Sequence, residues 1–108
     1  MTRALCCLTL LTLGCGGSDP EHPAYGLTGS ASDGADVYAD TCASCHGADG
    51  SGGTGSALTE TGPGMSRTEI IDILIDGIPG TSMVSYRSIL TAQEIADVAA
   101  YVEREWGS

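Results

Sequence analysis

Two cysteines and a histidine stand together in the run Cys42-Ala43-Ser44-Cys45-His46. A Cys-x-x-Cys-His run is the attachment signature of c-type haem, because thiols one helical turn apart can add to the two vinyl groups of the porphyrin. The imidazole that follows the second thiol then lies under the iron and binds it through one ring nitrogen. The run therefore predicts one covalent haem c, attached through Cys42 and Cys45 and ligated by His46.

Two other interpretations of the cysteine pair are a thioredoxin-type redox site and half of a zinc site. A redox pair calls for a βαβ context, and the sequence has no strand pattern of that kind. A zinc site calls for a second pair of Cys or His ligands. The only other histidine, His22, lies far upstream in a Pro-rich stretch. The residues favour haem attachment over both alternatives.

The first residues have the pattern of an export signal. Residues 1–3 carry a positive charge, and residues 4–13 form an apolar run of signal-peptide length that is too short to span a bilayer as a helix. The run ends in LTLGC, which resembles the lipobox of bacterial lipoproteins, in which the Cys is acylated and cleavage precedes it. We predict a lipoprotein signal peptide over 1–14 and lipidation at Cys15; an ordinary cleaved signal is the alternative.

The composition limits the partners of the chain. Its 108 residues carry 14 acidic side chains against four Arg and no Lys, for a formal net charge of −10. Nucleic-acid binding depends on a basic patch, so we expect no nucleic-acid partner. The acidity fits either a well-solvated surface or a partner with a basic docking patch, and both interpretations stay open.

The rest of the chain divides into a linker and one small domain. Residues 15–31 are rich in Gly, Pro, Ser and Thr and lack apolar periodicity, so they are predicted to be the lipidated N-terminus and a flexible tether. Residues 32–107 form the predicted domain. In this domain Ser32 or Asp33 is expected to cap a first helix that runs into the haem motif.

Two capping boxes predict two further helices. Residues 66–69 (SRTE) open a helix over 70–76, and Gly77 ends it. Residues 91–94 (TAQE) open a last helix that continues to the end of the chain. Strand signals are absent from the sequence, so the predicted fold class is all-α. The domain is small and lacks Phe, so a covalently held haem would stabilise it by offering an apolar surface for the helices.

The domain resembles the small monohaem cytochromes c of class I, in which the iron is ligated by His and Met. The resemblance is carried by Gly34-x-x-x-Tyr38-x-x-x-Cys42-x-x-Cys45-His46-Gly47, by Gly77-Ile78-Pro79-Gly80-x-x-Met83 and by Ala100-Tyr101-Val102. It implies three main helices wrapped around one haem. It also implies that the first and last helices cross at Gly34, with the rings of Tyr38 and Tyr101 beside the crossing.

The sixth ligand of the iron is a choice between two methionines. Met83 lies in a Gly- and Pro-containing loop between two helices, as the axial Met of the resembling family does, and it is the predicted ligand. Met65 directly precedes a helix cap and is expected to pack under the start of the middle helix. In the resembling family a proline carbonyl in the 47–64 loop often accepts the N–H of the proximal His; here Ser56 stands at the matching place, and Pro63 is the other candidate.

The resemblance implies a one-electron carrier that cycles between Fe(II) and Fe(III) and carries out no enzymatic reaction. Its partners would be a redox donor and acceptor, and it would act as a monomer or as a subunit of a complex. Haem is attached to such proteins outside the cytoplasmic membrane, so we expect an exported, membrane-anchored lipoprotein that faces the periplasm or cell exterior. The alternatives are an open-site haem protein with gas-sensing or peroxidase-like activity, and a haem c subunit of a larger oxidoreductase complex.

Overall fold

The computed structural model describes residues 22–107. The helices are α1 (Ala31–Val37), α2 (Ala43–His46), α3 (Leu58–Thr61), α4 (Arg67–Asp76) and α5 (Ala92–Trp106), with a 3-10 turn at Pro23–Gly26 and a π-helical turn at Tyr38–Cys42. No strand occurs in this part of the chain, and the predicted all-α class is confirmed. None of its helices combines the length and apolarity needed to cross a membrane. The predicted signal peptide and Cys15 lie outside the described residues.

Helix α1 begins two or three residues earlier than the predicted caps imply. Ser30 is the N-cap, and its side chain accepts a hydrogen bond of 3.2 Å from the backbone N–H of Asp33. The Ser30 backbone N–H donates in turn to the Asp97 carboxylate on α5, at 2.8 Å. The predicted caps, Ser32 and Asp33, were therefore wrong. A contact with a residue far along the chain fixes where α1 starts, and local pattern cannot reveal such a contact.

Both predicted capping boxes are present. At the start of α4, Ser66 Oγ accepts from the N–H of Glu69 at 3.1 Å, and Glu69 Oε1 accepts from the N–H of Ser66 at 2.9 Å. Thr91 and Glu94 form the same reciprocal pair at the start of α5. Gly77 follows the end of α4 with a φ of 68°, a left-handed conformation that favours glycine. These boundaries are set by residues three or four positions apart, which is why the sequence predicts them.

Helices α1 and α5 cross at Gly34, as the resemblance implied. A Cβ built on Gly34 would lie 2.0 Å from the carbonyl oxygen of Asp97 and 2.9 Å from the Cβ of Tyr101. Only a residue without a side chain fits such an approach of two backbones. Beside the crossing, the ring of buried Tyr38 packs near the ring of Tyr101, with 5.4 Å between the two ring centroids. The crossing joins the two ends of the domain.

Residues 22–30, which we call the N-terminal strap, lie against α4 and α5. Ala24 is fully buried, and the Thr28 carbonyl accepts a hydrogen bond of 3.0 Å from Gln93 on α5. The Tyr25 hydroxyl donates to the Asp72 carboxylate on α4. This stretch was predicted to belong to the flexible tether, and its described part differs from that expectation. The Gly- and Pro-rich composition of the strap indicates a flexible segment. Its contacts are made with residues more than 40 positions away, which local composition cannot indicate.

Candidate haem site

An apolar cavity of about 360 Å³ lies between the haem motif, helices α4 and α5, and the loops over residues 47–64 and 77–91. It brings together the predicted site residues of the domain: Cys42, Cys45, His46 and Met83, and with them Met65. Its helical walls are apolar side chains from α4 and α5, namely Ile70, Ile73, Leu74, Val98 and Val102. The predicted residues therefore share one apolar space, as a porphyrin face requires.

The two cysteines sit on consecutive helical segments. Cys42 ends the π-helical turn and is buried, whereas Cys45 lies on α2 and is half-buried. Burial, reinforced by the nearby Cys45, raises the pKa of Cys42 to about 11. A redox-active cysteine needs a lowered pKa, so this site is unsuited to thioredoxin-type chemistry. The described residues also contain no group of three or more His, Cys, Asp or Glu side chains that could hold zinc.

His46 is oriented by a backbone carbonyl. Its Nδ1 atom lies 2.8 Å from the carbonyl oxygen of Ser56. Because a carbonyl can only accept, the imidazole proton is assigned to Nδ1, and the Nε2 lone pair is left for a metal. Of the two candidates in the sequence, Ser56 and Pro63, the contact is made by Ser56. Any residue type can supply a backbone carbonyl, so the side chain at this position gave no signal.

The 47–64 loop is connected to the haem motif through backbone hydrogen bonds. The N–H of Gly52 donates to the carbonyl of His46 at 2.7 Å, and the N–H of Gly55 donates to the carbonyl of Cys45 at 2.8 Å. The Tyr38 hydroxyl donates to the carbonyl of Gly47 at 2.6 Å. The loop therefore lies on the motif itself, and this places the Ser56 carbonyl at the imidazole.

Met83 lies in the 77–91 loop, which hydrogen bonds hold on both sides of it. Its N–H donates to Thr81 Oγ1 at 3.1 Å, and its carbonyl accepts from the N–H of Ile78 at 2.9 Å. Beyond it, the N–H of Tyr86 donates to the Leu74 carbonyl at 2.7 Å, which ties the loop to the end of α4. The Met83 side chain is half-buried and lines the cavity.

Met65 lines the same cavity and packs partly buried against the hydrophobic core. Its N–H donates to the Gly62 carbonyl at 2.9 Å, just before the cap of α4. Tyr86, which no sequence motif singles out, also lines the cavity, and its pKa is raised by burial and by the two cysteines. Taken together, two thiols, a free imidazole nitrogen, two thioethers and apolar walls fit a covalently attached haem.

Comparison with known proteins gives the same picture. The family model described as "Cytochrome C oxidase, cbb3-type, subunit III" matches residues 29–102. Cytochrome c55X of Paracoccus denitrificans (strain Pd 1222) is 36% identical over 62 residues, which are 56% of this chain and 60% of that relative. A second cytochrome c55X, from Stutzerimonas stutzeri, is 43% identical over 51% of this chain. The matches span only 50 to 60% of the length of these curated relatives.

Among solved structures, cytochrome c6 of the diatom Phaeodactylum tricornutum is similar with a TM-score of 0.57 and 30% identity. That match covers 68% of this chain and 91% of the diatom protein. Bacterial cytochromes c are in general electron carriers that hold haem c covalently and are exported to the periplasm. Since the family model covers most of the described domain, the chain belongs to the cytochrome c family, in the group described as cytochrome c oxidase, cbb3-type, subunit III.

Proposed function

We propose that this protein is a monohaem electron carrier that passes single electrons between redox partners at the outer side of a bacterial membrane. The main support for this proposal is that Cys42, Cys45, His46 and Met83 all line one cavity, together with apolar side chains. When bound there, haem c supplies a one-electron Fe(II)/Fe(III) couple. The chain's own residues would attach the macrocycle, set its ligation and exclude water.

Each site residue has a defined role in this proposal. Cys42 and Cys45 would hold the haem through thioether bonds, each thiol adding across one vinyl group of the porphyrin. His46 would bind the iron through Nε2, while the Ser56 carbonyl, 2.8 Å from Nδ1, keeps the ring oriented and would raise its basicity. Met83 would supply its thioether sulfur as the second protein ligand of the iron. The hydrogen bonds on both sides of Met83 support this choice, because they restrict the loop that presents the thioether.

A His/Met-ligated iron suits electron transfer and leaves no position for a substrate. A thioether ligand favours Fe(II) and raises the reduction potential. We therefore propose that the protein carries out no enzymatic reaction of its own and docks weakly with a donor and an acceptor. The family model carries the name of an oxidase subunit, so a second candidate is electron delivery within a larger complex. Co-purification of this protein with an oxidase or dehydrogenase would support a role as a subunit of a complex over a role as a free carrier.

Haem attachment is tested by removing one thiol. In the wild-type holoprotein we expect the haem to stay with the protein during acid-acetone extraction. Cys45→Ala removes one of the two covalent bonds and should weaken haem retention, which a mass measurement of the intact chain and a haem assay would show. Ser44→Ala, at the exposed position between the two cysteines, is the control and should retain a full complement of haem. Haem in the organic layer from wild-type protein would exclude covalent attachment.

We also propose that residues 1–14 are removed and that Cys15 is acylated, so that a lipid anchors the protein at the membrane. The support is the charged start, the apolar run and the lipobox-like LTLGC. Intact-mass analysis of membrane-derived protein should show the lipid on a chain that begins at Cys15. Cys15→Ser should abolish the added mass, and Cys7→Ser, within the signal, should leave it unchanged. An unlipidated periplasmic species with a different first residue would contradict this prediction.

A further inference from the structure

The C-terminal end of α5 lies against the outside of the 47–64 loop. The indole of Trp106 approaches Gly50 so closely that a Cβ on that glycine would lie 2.5 Å from Cε2 of the ring. Gly50 also has a φ of 76°, in the left-handed region. At Gly62, a Cβ would lie 2.8 Å from the Cβ of Trp106. One side chain therefore contacts the loop at two points, 12 residues apart in the chain.

These two contact points flank the partner of the proximal histidine. Between them lies Ser56, whose carbonyl accepts the hydrogen bond from His46 Nδ1. A hydrogen bond joins the two ends of the 50–59 segment, because the N–H of Thr59 donates to the Gly50 carbonyl at 3.2 Å. The loop is also held by the hydrogen bonds from Gly52 and Gly55 to the haem motif. Without Trp106 we expect these bonds, and with them the contact of the Ser56 carbonyl with the imidazole, to open more often.

The indole also packs on two aromatic rings. Trp106 lies 5.2 Å from the ring of Tyr38 and 5.8 Å from the ring of Tyr101, measured between centroids. Tyr38 in turn holds the first residue of the loop, since its hydroxyl donates to the carbonyl of Gly47. Trp106 thus contacts both the aromatic rings beside the helix crossing and the 47–64 loop.

We propose that Trp106 is a positioning residue for the proximal ligand: it clamps the 47–64 loop and thereby fixes the hydrogen bond from His46 Nδ1 to the Ser56 carbonyl. This inference rests on the proposed role of His46 as an iron ligand. A hydrogen bond from Nδ1 makes the imidazole a stronger donor, and a stronger donor favours Fe(III) over Fe(II). Without the contact of Trp106 with the loop, this hydrogen bond should open more often. The proportion of Fe(II) at a fixed potential should then increase.

The test compares holoprotein variants in two measurements. In the reduced protein, NMR follows exchange of the His46 Nδ1 proton with solvent, which reports opening of this one hydrogen bond. A redox titration gives the Fe(II)/Fe(III) ratio at a fixed potential. Trp106→Ala should speed the proton exchange by roughly tenfold or more. It should also raise the Fe(II)/Fe(III) ratio on the order of threefold to tenfold, at or below the range for direct outer-shell partners.

Two further variants separate positioning from general stability. Ile95→Ala removes a fully buried side chain of α5 that does not line the cavity, so it should lower stability without changing exchange or the ratio. Trp106→Phe keeps a ring beside Gly50 and should restore nearly wild-type values. If Trp106→Ala does not accumulate, Trp106→Leu replaces it in both measurements.

Wild-type exchange and ratio in the alanine or leucine variant, with stability lowered as in Ile95→Ala, would overturn the positioning role. A wild-type holoprotein in which His46 does not bind the iron would instead overturn the proposed function. The two failures are therefore distinguished by the spectrum of the unsubstituted protein.

Discussion

Met83→Ala should lower the reduction potential and open the iron to added ligands. Loss of the thioether removes the preference for Fe(II), and we expect a decrease on the order of 0.1 V or more, within the roughly 0.8 V range that axial ligands control. The ferrous variant should bind carbon monoxide, which the wild-type protein should exclude. In the ferric state, the weak far-red charge-transfer band of sulfur ligation should disappear. A redox titration and two visible spectra measure all three effects.

Met65→Leu is the matched control, because Met65 lines the same cavity. Leucine conserves the volume of the side chain but has no sulfur, so the change should cost less than about 1.5 kcal/mol of stability. The far-red band and the potential should stay close to wild type. If the band survives in Met83→Ala and disappears in Met65→Leu, then Met65 is the ligand and the assignment to Met83 is wrong.

Gly34→Ala should produce the largest loss of stability among single methyl additions in this domain. The new Cβ would lie 2.0 Å from the Asp97 carbonyl oxygen, and the obstacle is backbone rather than a flexible side chain. Helices α1 and α5 would have to separate, so we expect a loss of roughly 3 kcal/mol or more, at the upper end of overpacking effects. Guanidinium unfolding of the holoprotein measures it, with fluorescence of the single tryptophan, Trp106, as the signal.

Gly26→Ala provides the comparison for the same chemical change. A Cβ there meets nothing within 4 Å, and the backbone is outside the left-handed region. Reduced freedom of the unfolded chain should make this variant neutral or up to about 1 kcal/mol more stable. If the unfolding curves of the two variants coincide, the close backbone crossing at Gly34 does not contribute as described.

Sequence was sufficient where the determining residues are near one another in the chain. The capping boxes that begin at Ser66 and Thr91 depend on a partner three positions away, and both were predicted correctly. The Cys-x-x-Cys-His run is equally local. The cap at Ser30 was missed because its backbone N–H is held by Asp97, which is adjacent only in the folded protein.

Other features of the site have no side-chain signature. The partner of His46 is the backbone carbonyl of Ser56, so the residue type at that position carries little information. The contact of Trp106 with Gly50 joins residues 56 positions apart in the chain, and neither residue stands in a motif. Conversely, Met65 and Met83 were both recognised, but their spacing from His46 could not decide between two thioethers that line one cavity.

The crossing of α1 and α5 has a consequence for the order of events during folding. The two helices that meet at Gly34 are separated by roughly 60 residues, and closing a loop of that length costs on the order of 4 kcal/mol of chain entropy. Long-range contacts of this kind slow folding, so we expect the crossing to form late. Until the crossing forms, α5 does not cover α1 and the adjoining thiols. A chain in which the crossing has not yet formed would thus leave Cys42 and Cys45 open to haem, and docking of α5 would then enclose the attached group.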